Sequence, residues 1–284
     1  MRLDNSRESQ NIEDRRGSRL PLGGRGKIGL GTIVLALVAI YFGVDPSIVL
    51  QTMSDPQETQ YSAPAGGPAN DAESRFVAKV LGDTEDTWGK LFQQHNWGNY
   101  QQPRLVLYTG ATPTACGTGQ AAMGPFYCPG DSKVYLDLSF FRQMAQELDS
   151  PGDFAQAYVI AHEVAHHVQH LRGITDQVDR LRQRASATQA NQMSVRVELQ
   201  ADCFAGVWAN HSNEQRATLE DGDIEEALDA ATAIGDDRLQ KKSQGYVVPD
   251  SFTHGTSAQR VKWFTRGFKS GDTAQCDTFG AQSL

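Results

Sequence analysis

Ala161-His162-Glu163-Val164-Ala165-His166-His167 contains H-E-x-x-H, the pattern of a helical zinc site. A helix over residues 153 to 171 sets His162 and His166 four apart on one face, where both imidazoles reach a single tetrahedral metal. Glu163 stands beside them, placed to take a proton from a metal-activated water and hand it to a leaving amine. Ser150 and Pro151 read as cap and first-turn residue of this helix, and Gly173 as its stop. Phe154, Ala157, Tyr158, Ala161, Ala165, Val168 and Leu171 mark its buried face, which makes the helix central. His167 and His170 face other ways and are not assigned to the metal.

A catalytic zinc takes three protein ligands and keeps a position open, so two histidines are not enough. The extension that adds a third histidine, H-E-x-x-H-x-x-G-x-x-H, fails at Gln169 and Arg172, which stand where glycine and histidine belong. A glutamate from a following helix is the alternative, and Glu198 answers it, 32 residues beyond His166 in the apolar helix read over residues 194 to 210. Asp202 follows on the same face, placed to accept the free ring N–H of a ligating histidine. Two acids among Val197, Leu199, Ala201, Cys203 and Phe204 are costly to bury without a cation. Zinc supplies that charge.

Near the C-terminus, Thr256 and Gln259 match a capping box ahead of a helix with Val261, Phe264 and Phe268 on one side. The box does not account for His254. On its glycine-containing loop, His254 is a candidate to donate a hydrogen bond to the oxyanion formed when water attacks a carbonyl. Arg260 is a candidate to steady that loop or to bind a substrate carboxylate.

The chain has 284 residues, 39% hydrophobic and 21% charged, enough for one good-sized domain. Its charge of −8 is uneven: residues 1–27 hold seven basic against four acidic side chains, a local +3, which leaves −11 on the rest. That distribution argues against nucleic acid as a partner. Residues 28–44 (IGLGTIVLALVAIYFGV) carry no charge and approach the length that spans a bilayer. With arginines in front and a polar, proline-rich stretch behind, they read as an uncleaved single-pass signal anchor. The basic flank predicts the N-terminus inside and the remainder outside the cytoplasmic membrane, periplasmic or extracellular. All four cysteines follow the anchor, in what is then an oxidising compartment. Four cysteines allow three pairings; Cys116–Cys128 with Cys203–Cys276 is chosen because the first pair flanks one connection between strands.

Residues 1–27 are expected to be a flexible cytoplasmic N-terminus without packed structure, and residues 45–71 a linker. The folded domain is expected over residues 72–284. It opens with one or two amphipathic helices carrying Phe76, Val80, Leu81, Trp88, Leu91 and Phe92. Strands are read at Arg104–Thr109, Phe126–Cys128 and Lys133–Leu138, and residues 110–124 as a loop. A short helix holds Phe140, Phe141 and Met144, and residues 223–234 form another with Asp223 as cap. Residues 174–193 read as a connecting helix, with a lid as the lesser reading.

The segments MRLDNSRESQNIEDRRG, HEVAHHVQ, VELQADCFAGVWA and SFTHGTSAQRVKWF, with the single anchor, together resemble the bacterial family of putative neutral zinc metallopeptidases over nearly the whole chain. The resemblance implies a zinc peptidase-like domain outside the membrane, with His162, His166 and Glu198 as ligands and Glu163 as base. More distantly, Glu198-x-x-x-Asp202 and the His254 to Arg260 segment are similar to the HtpX and CAAX-processing membrane peptidases.

The fold expected is therefore α+β and zincin-like, a small sheet beside the metal helix. The function expected is a membrane-anchored endopeptidase with one Zn²⁺ ion, acting on peptides or proteins. An extended substrate is expected to pair with an exposed strand edge, Lys133 to Leu138. Two other readings stand beside it. One is a non-proteolytic, zinc-retaining membrane-anchored assembly or adaptor protein, which the intact Glu163 argues against. The other is a peptidase active only with a partner membrane complex.

Overall fold

Ala72–Gln94 forms one continuous helix, α1, rather than two, because Asp71 caps its first turn by accepting the Ser74 N–H and no proline or glycine pair interrupts it. The computed structural model describes residues 1–17, 71–121, 124–147 and 150–284. The anchor read at 28–44 and nearly all of the linker lie outside the described residues. Among the described residues no helix is long and apolar enough to cross a membrane.

The sheet has four strands in the order β1-β2-β6-β5: β1 Ile12–Asp14, β2 Arg104–Tyr108, β5 Phe126–Cys128 and β6 Lys133–Asp137. β1, β2 and β6 run parallel, and β5 closes the far edge antiparallel to β6. β2 is buried on both faces from Leu105 to Tyr108, as expected of an interior strand. The stretch read as a loop after Tyr108 instead contains a small hairpin, β3 Ala111–Thr114 with β4 Gly117–Gln120. Gly117, at φ +110°, allows its tight reversal. Lys133–Leu138 is not the exposed edge: β6 lies between β2 and β5, so β5 takes that position.

The N-terminal residues differ most from expectation. Residues 1–17 are packed, with Ile12, Glu13 and Asp14 in register with Leu105, Val106 and Leu107. They belong to the same compact unit as the rest of the described chain. Leu3 is buried, and Ser6 donates to the buried Asp83. The fully buried Glu85 carboxylate accepts from Arg7 (2.7 Å), Ser9 (2.6 Å) and Asn11 (2.7 Å). Gly82 is required for this docking, since a Cβ there would meet the Arg7 carbonyl oxygen at 2.4 Å. Polar composition misleads here because the segment supplies donors to buried acids rather than apolar bulk. The β1–β2 ladder holds these residues against the domain that follows Asp71.

The helices follow: α2 Ser139–Glu147, α3 Asp153–Leu171, α4 Ile174–Arg182, α5 Ala187–Arg216, α6 Asp223–Ala233, α7 Asp236–Gln244 and α8 Ser257–Ser270. α3 has the expected limits, but Gly152 rather than Ser150 is its cap residue, and Glu226 of α6 accepts the Phe154 N–H in place of a local cap. Likewise Gly222, not Asp223, caps α6. α5 is 30 residues long and reaches well beyond the span read from its apolar residues, because a Ser186–Gln189 capping box starts it among polar ones. α8 lies directly against α5: a Cβ on Gly267 would meet the Cys203 carbonyl oxygen at 1.9 Å. Disulfides join Cys203 to Cys276 at that contact and Cys116 to Cys128 beside the hairpin. α3 is buried between α5, α6 and α1, and β5 and β6 also contact it.

Candidate metal centre

α3 brings His162 and His166 together as their spacing requires, with ring centroids 4.7 Å apart. α5 supplies Glu198 from across the core. His162 Nε2 lies 3.1 Å from one Glu198 oxygen, and His166 Nε2 lies 3.5 Å from the other. One atom from each of the three residues can be chosen so that all lie within 4.8 Å of one another. Two imidazoles and a carboxylate suit zinc. Bonds of about 2.0–2.1 Å in a tetrahedron put neighbouring ligand atoms roughly 3.3–3.4 Å apart, between the two observed separations. The residues present therefore fit the ion.

The outward nitrogens are held as well. His162 Nδ1 stands 2.8 Å from Asp202, which is fully buried. The same carboxylate accepts from the Tyr158 hydroxyl at 2.6 Å and from Arg260 Nε and Nη2, both at 2.9 Å. His166 Nδ1 donates to the Gln169 side-chain oxygen at 2.9 Å, and Gln169 in turn donates to the Val197 carbonyl and to Gln200. With Nδ1 of each ring donating to an oxygen, both Nε2 lone pairs face Glu198. Without a cation the site draws protons instead. Burial opposes charge on His162, but Asp202 and Glu198 outweigh it and raise the ring to about 10. Glu198 is held well below the carboxylate range, burial being overcome by the two histidines. Positive charge belongs between these groups.

Arg260 has a different place from either expected for it. It is 2% exposed and forms a bidentate pair with Asp202, so its charge is already matched. It steadies the carboxylate behind His162, not the loop. That loop is held by Asp236, whose Oδ2 accepts the N–H groups of Thr253, His254 and Gly255 and whose Oδ1 lies 3.2 Å from His254 Nδ1. The Asp236 contact raises the His254 pKa. Its half-exposed ring lines a cavity of about 540 Å³ together with His162, Glu163, His166 and Glu198.

His167 and His170 point away from the metal site and share one partner. The Tyr127 hydroxyl lies 3.0 Å from His167 Nδ1 and 2.7 Å from His170 Nδ1, while His167 Nε2 donates to the Gln101 carbonyl at 2.6 Å. Burial lowers His167 to about 4, so the ring is neutral, accepts from Tyr127 and leaves His170 Nδ1 to donate. This clasp ties the edge strand β5 to α3. β5 pairs with β6 on one side only among the described residues, and Gly124 to Tyr127 line the cavity.

Reading the sequence missed Tyr127, Tyr158, Gln169 and Asp236. Gln169 was visible only as a departure from the longer histidine motif. Nothing in the local sequence marks the roles of the other three, because their partners lie 17 or more residues away.

A family model described as putative neutral zinc metallopeptidase matches residues 1–279. The chain is 54% identical over 291 residues to the uncharacterized protein YpfJ of Escherichia coli (strain K12), covering 99% of each chain. It is 39% identical over 265 residues to the uncharacterized protein Rv2575 of Mycobacterium tuberculosis (strain ATCC 25618 / H37Rv), covering 87% of this chain and 86% of that one. No solved structure matches.

Proposed function

This chain belongs to the family described as putative neutral zinc metallopeptidases, and from that membership we propose that it hydrolyses internal peptide bonds of peptides or proteins. The observation that carries the reading is the convergence of His162, His166 and Glu198 on one cavity that also holds Glu163 and borders a strand edge. His162, His166 and Glu198 would hold one zinc ion. When bound, zinc supplies a Lewis acid for the scissile carbonyl and brings the pKa of a water toward neutrality.

The chain's own groups do the rest. The Glu163 carboxylate takes a proton from the attacking water and passes it to the leaving amine. His254, its Nδ1 engaged by Asp236, donates to the carbonyl oxygen as that oxygen gains charge. The free edge of β5 pairs with the substrate backbone, which holds an extended peptide beside α3. Asp202, fixed by Arg260 and Tyr158, keeps His162 in the tautomer and orientation a ligand needs.

We also propose that residues 28–44 attach the protein to the bacterial cytoplasmic membrane. Their lack of charge supports attachment, and the two disulfides support an oxidising compartment for the domain. Since β1 pairs with β2, residues 1–17 share that compartment in this proposal.

The test uses the zinc-loaded full-length chain and Glu163→Gln on unstructured peptides, with products identified by mass. Cleavage by the wild type and loss of at least about 100-fold in Glu163→Gln, with zinc content unchanged, is expected. Equal turnover by the variant removes Glu163 from the mechanism. No cleavage by either favours the non-proteolytic zinc-binding reading.

A further inference from the structure

The cavity is not uniform along α3. Val159 stands one turn before His162 and Glu163, and Phe140 of α2, Ile234 at the end of α6 and Leu239 of α7 line the same cavity. Leu239 is 38% exposed, and Phe140 and Ile234 are partly so, which leaves apolar surface open beside the reacting groups. Beyond His166 the chain turns through Gly173 into α4, and Arg182 of that helix lines the cavity too. Its charge is poorly matched: the closest acid among the described residues is Asp179, 3.9 Å away on the same exposed helix face. Of the other basic groups in the lining, Arg260 and His254 are engaged by Asp202 and Asp236, and His162 and His166 face Glu198.

We propose, on the peptidase reading above, that this cavity selects peptides carrying a large apolar side chain next to the scissile bond and a carboxylate several residues away. Val159, Phe140, Ile234 and Leu239 receive the apolar side chain, and Arg182 binds the carboxylate. The physical basis is that an apolar side chain gains by leaving water for this surface, while a substrate acid competes for Arg182, whose half-exposed pair with Asp179 at 3.9 Å is weak. α3 rises about 1.5 Å per residue, so Val159 and His166 are roughly 10 Å apart along its axis. That is about three residues of an extended peptide, and Arg182 comes from α4 rather than from the elements that carry the apolar residues, so the two preferences are read at separate positions. The carboxylate is either an Asp or Glu side chain or the peptide's own C-terminus.

The experiment exposes zinc-loaded full-length protein to a peptide library, half of it C-terminally amidated, and reads every cleavage site by mass. Leu, Phe or Met over Ala beside the cleaved bond is expected by at least about tenfold in kcat/KM. Ile234→Trp, which fills the apolar end, and Leu239→Asp, at a position exposed enough to tolerate the change, each reduce that preference severalfold. Arg182→Glu reverses the acidic preference to a basic one. If amidation abolishes the acidic preference, the C-terminus is the source; if not, the side chain is. Cleavage without apolar enrichment, or with enrichment unchanged in both apolar-end variants, overturns the proposal. If the wild type cuts nothing, the peptidase reading fails, and the subsite is read by fluorescence anisotropy of a labelled Leu- and Glu-containing peptide on zinc-loaded Glu163→Gln. Binding weakened about tenfold by Leu239→Asp in that background upholds the subsite, and equal binding overturns it.

Discussion

Deleting residues 1–17 tests whether they are structural parts of the domain. The deletion removes β1 and, with Arg7, Ser9 and Asn11, every side-chain hydrogen bond to Glu85 among the described residues. Glu85, fully buried while that segment covers it, then keeps none of these donors and faces the vacated groove. Leaving one member of a buried ion pair unpaired costs about 3–5 kcal/mol, a large share of the 5–15 kcal/mol that about describes a whole domain. Water entering the vacated groove moves the cost toward the lower end, and loss of Leu3 and the β1 ladder moves it back. At about 2–4 °C per kcal/mol for a domain of this size, Tm falls by roughly 6–20 °C. The assay is thermal unfolding at fixed zinc, for the full chain and the deletion, each with and without Glu85→Gln. Removing the charge costs stability in the full chain and restores part of it in the deletion, so the two changes couple by at least about 1 kcal/mol. A Tm drop under about 2 °C, or strictly additive effects, would refute the argument and return residues 1–17 to the role of an unpacked tail.

Asp202→Asn keeps an oxygen near His162 but removes the charge, and zinc affinity measured by chelator competition should fall about 10–100-fold; unchanged affinity would make Asp202 a packing residue only. His167 predicts a pH window. It titrates near 4 in the folded chain against 6.5 for an unperturbed ring, so between those values the unfolded chain binds the extra proton and acidification destabilises the fold. The stability this group contributes is complete above about pH 6.5 and is lost on descent toward pH 4, by up to about 3 kcal/mol. His167→Gln should flatten urea-derived stability against pH over that interval, and an identical slope in the variant would assign the acid sensitivity elsewhere.

By itself the sequence determined the parts whose partners are set by local repetition or by chemical type. The limits of α3 follow from helical spacing of apolar residues, and the two histidines share one helix face because four residues make about one turn. Glu198 and Asp202 were legible because two acids in an apolar helix demand a cation, and the observed geometry provides a cation site at one and Arg260 at the other. What the tertiary structure decided is which distant groups meet. β1 has three residues with no alternation to mark it, and its partner strand lies about 90 residues away. Arg260 could have faced substrate or solvent until α8 closed on α5 at Gly267 and buried it against Asp202. The free edge beside α3 passed from β6 to β5 because sheet order depends on long-range pairing. Local pattern reports which face a residue occupies within its own element; only packing determines what stands opposite that face.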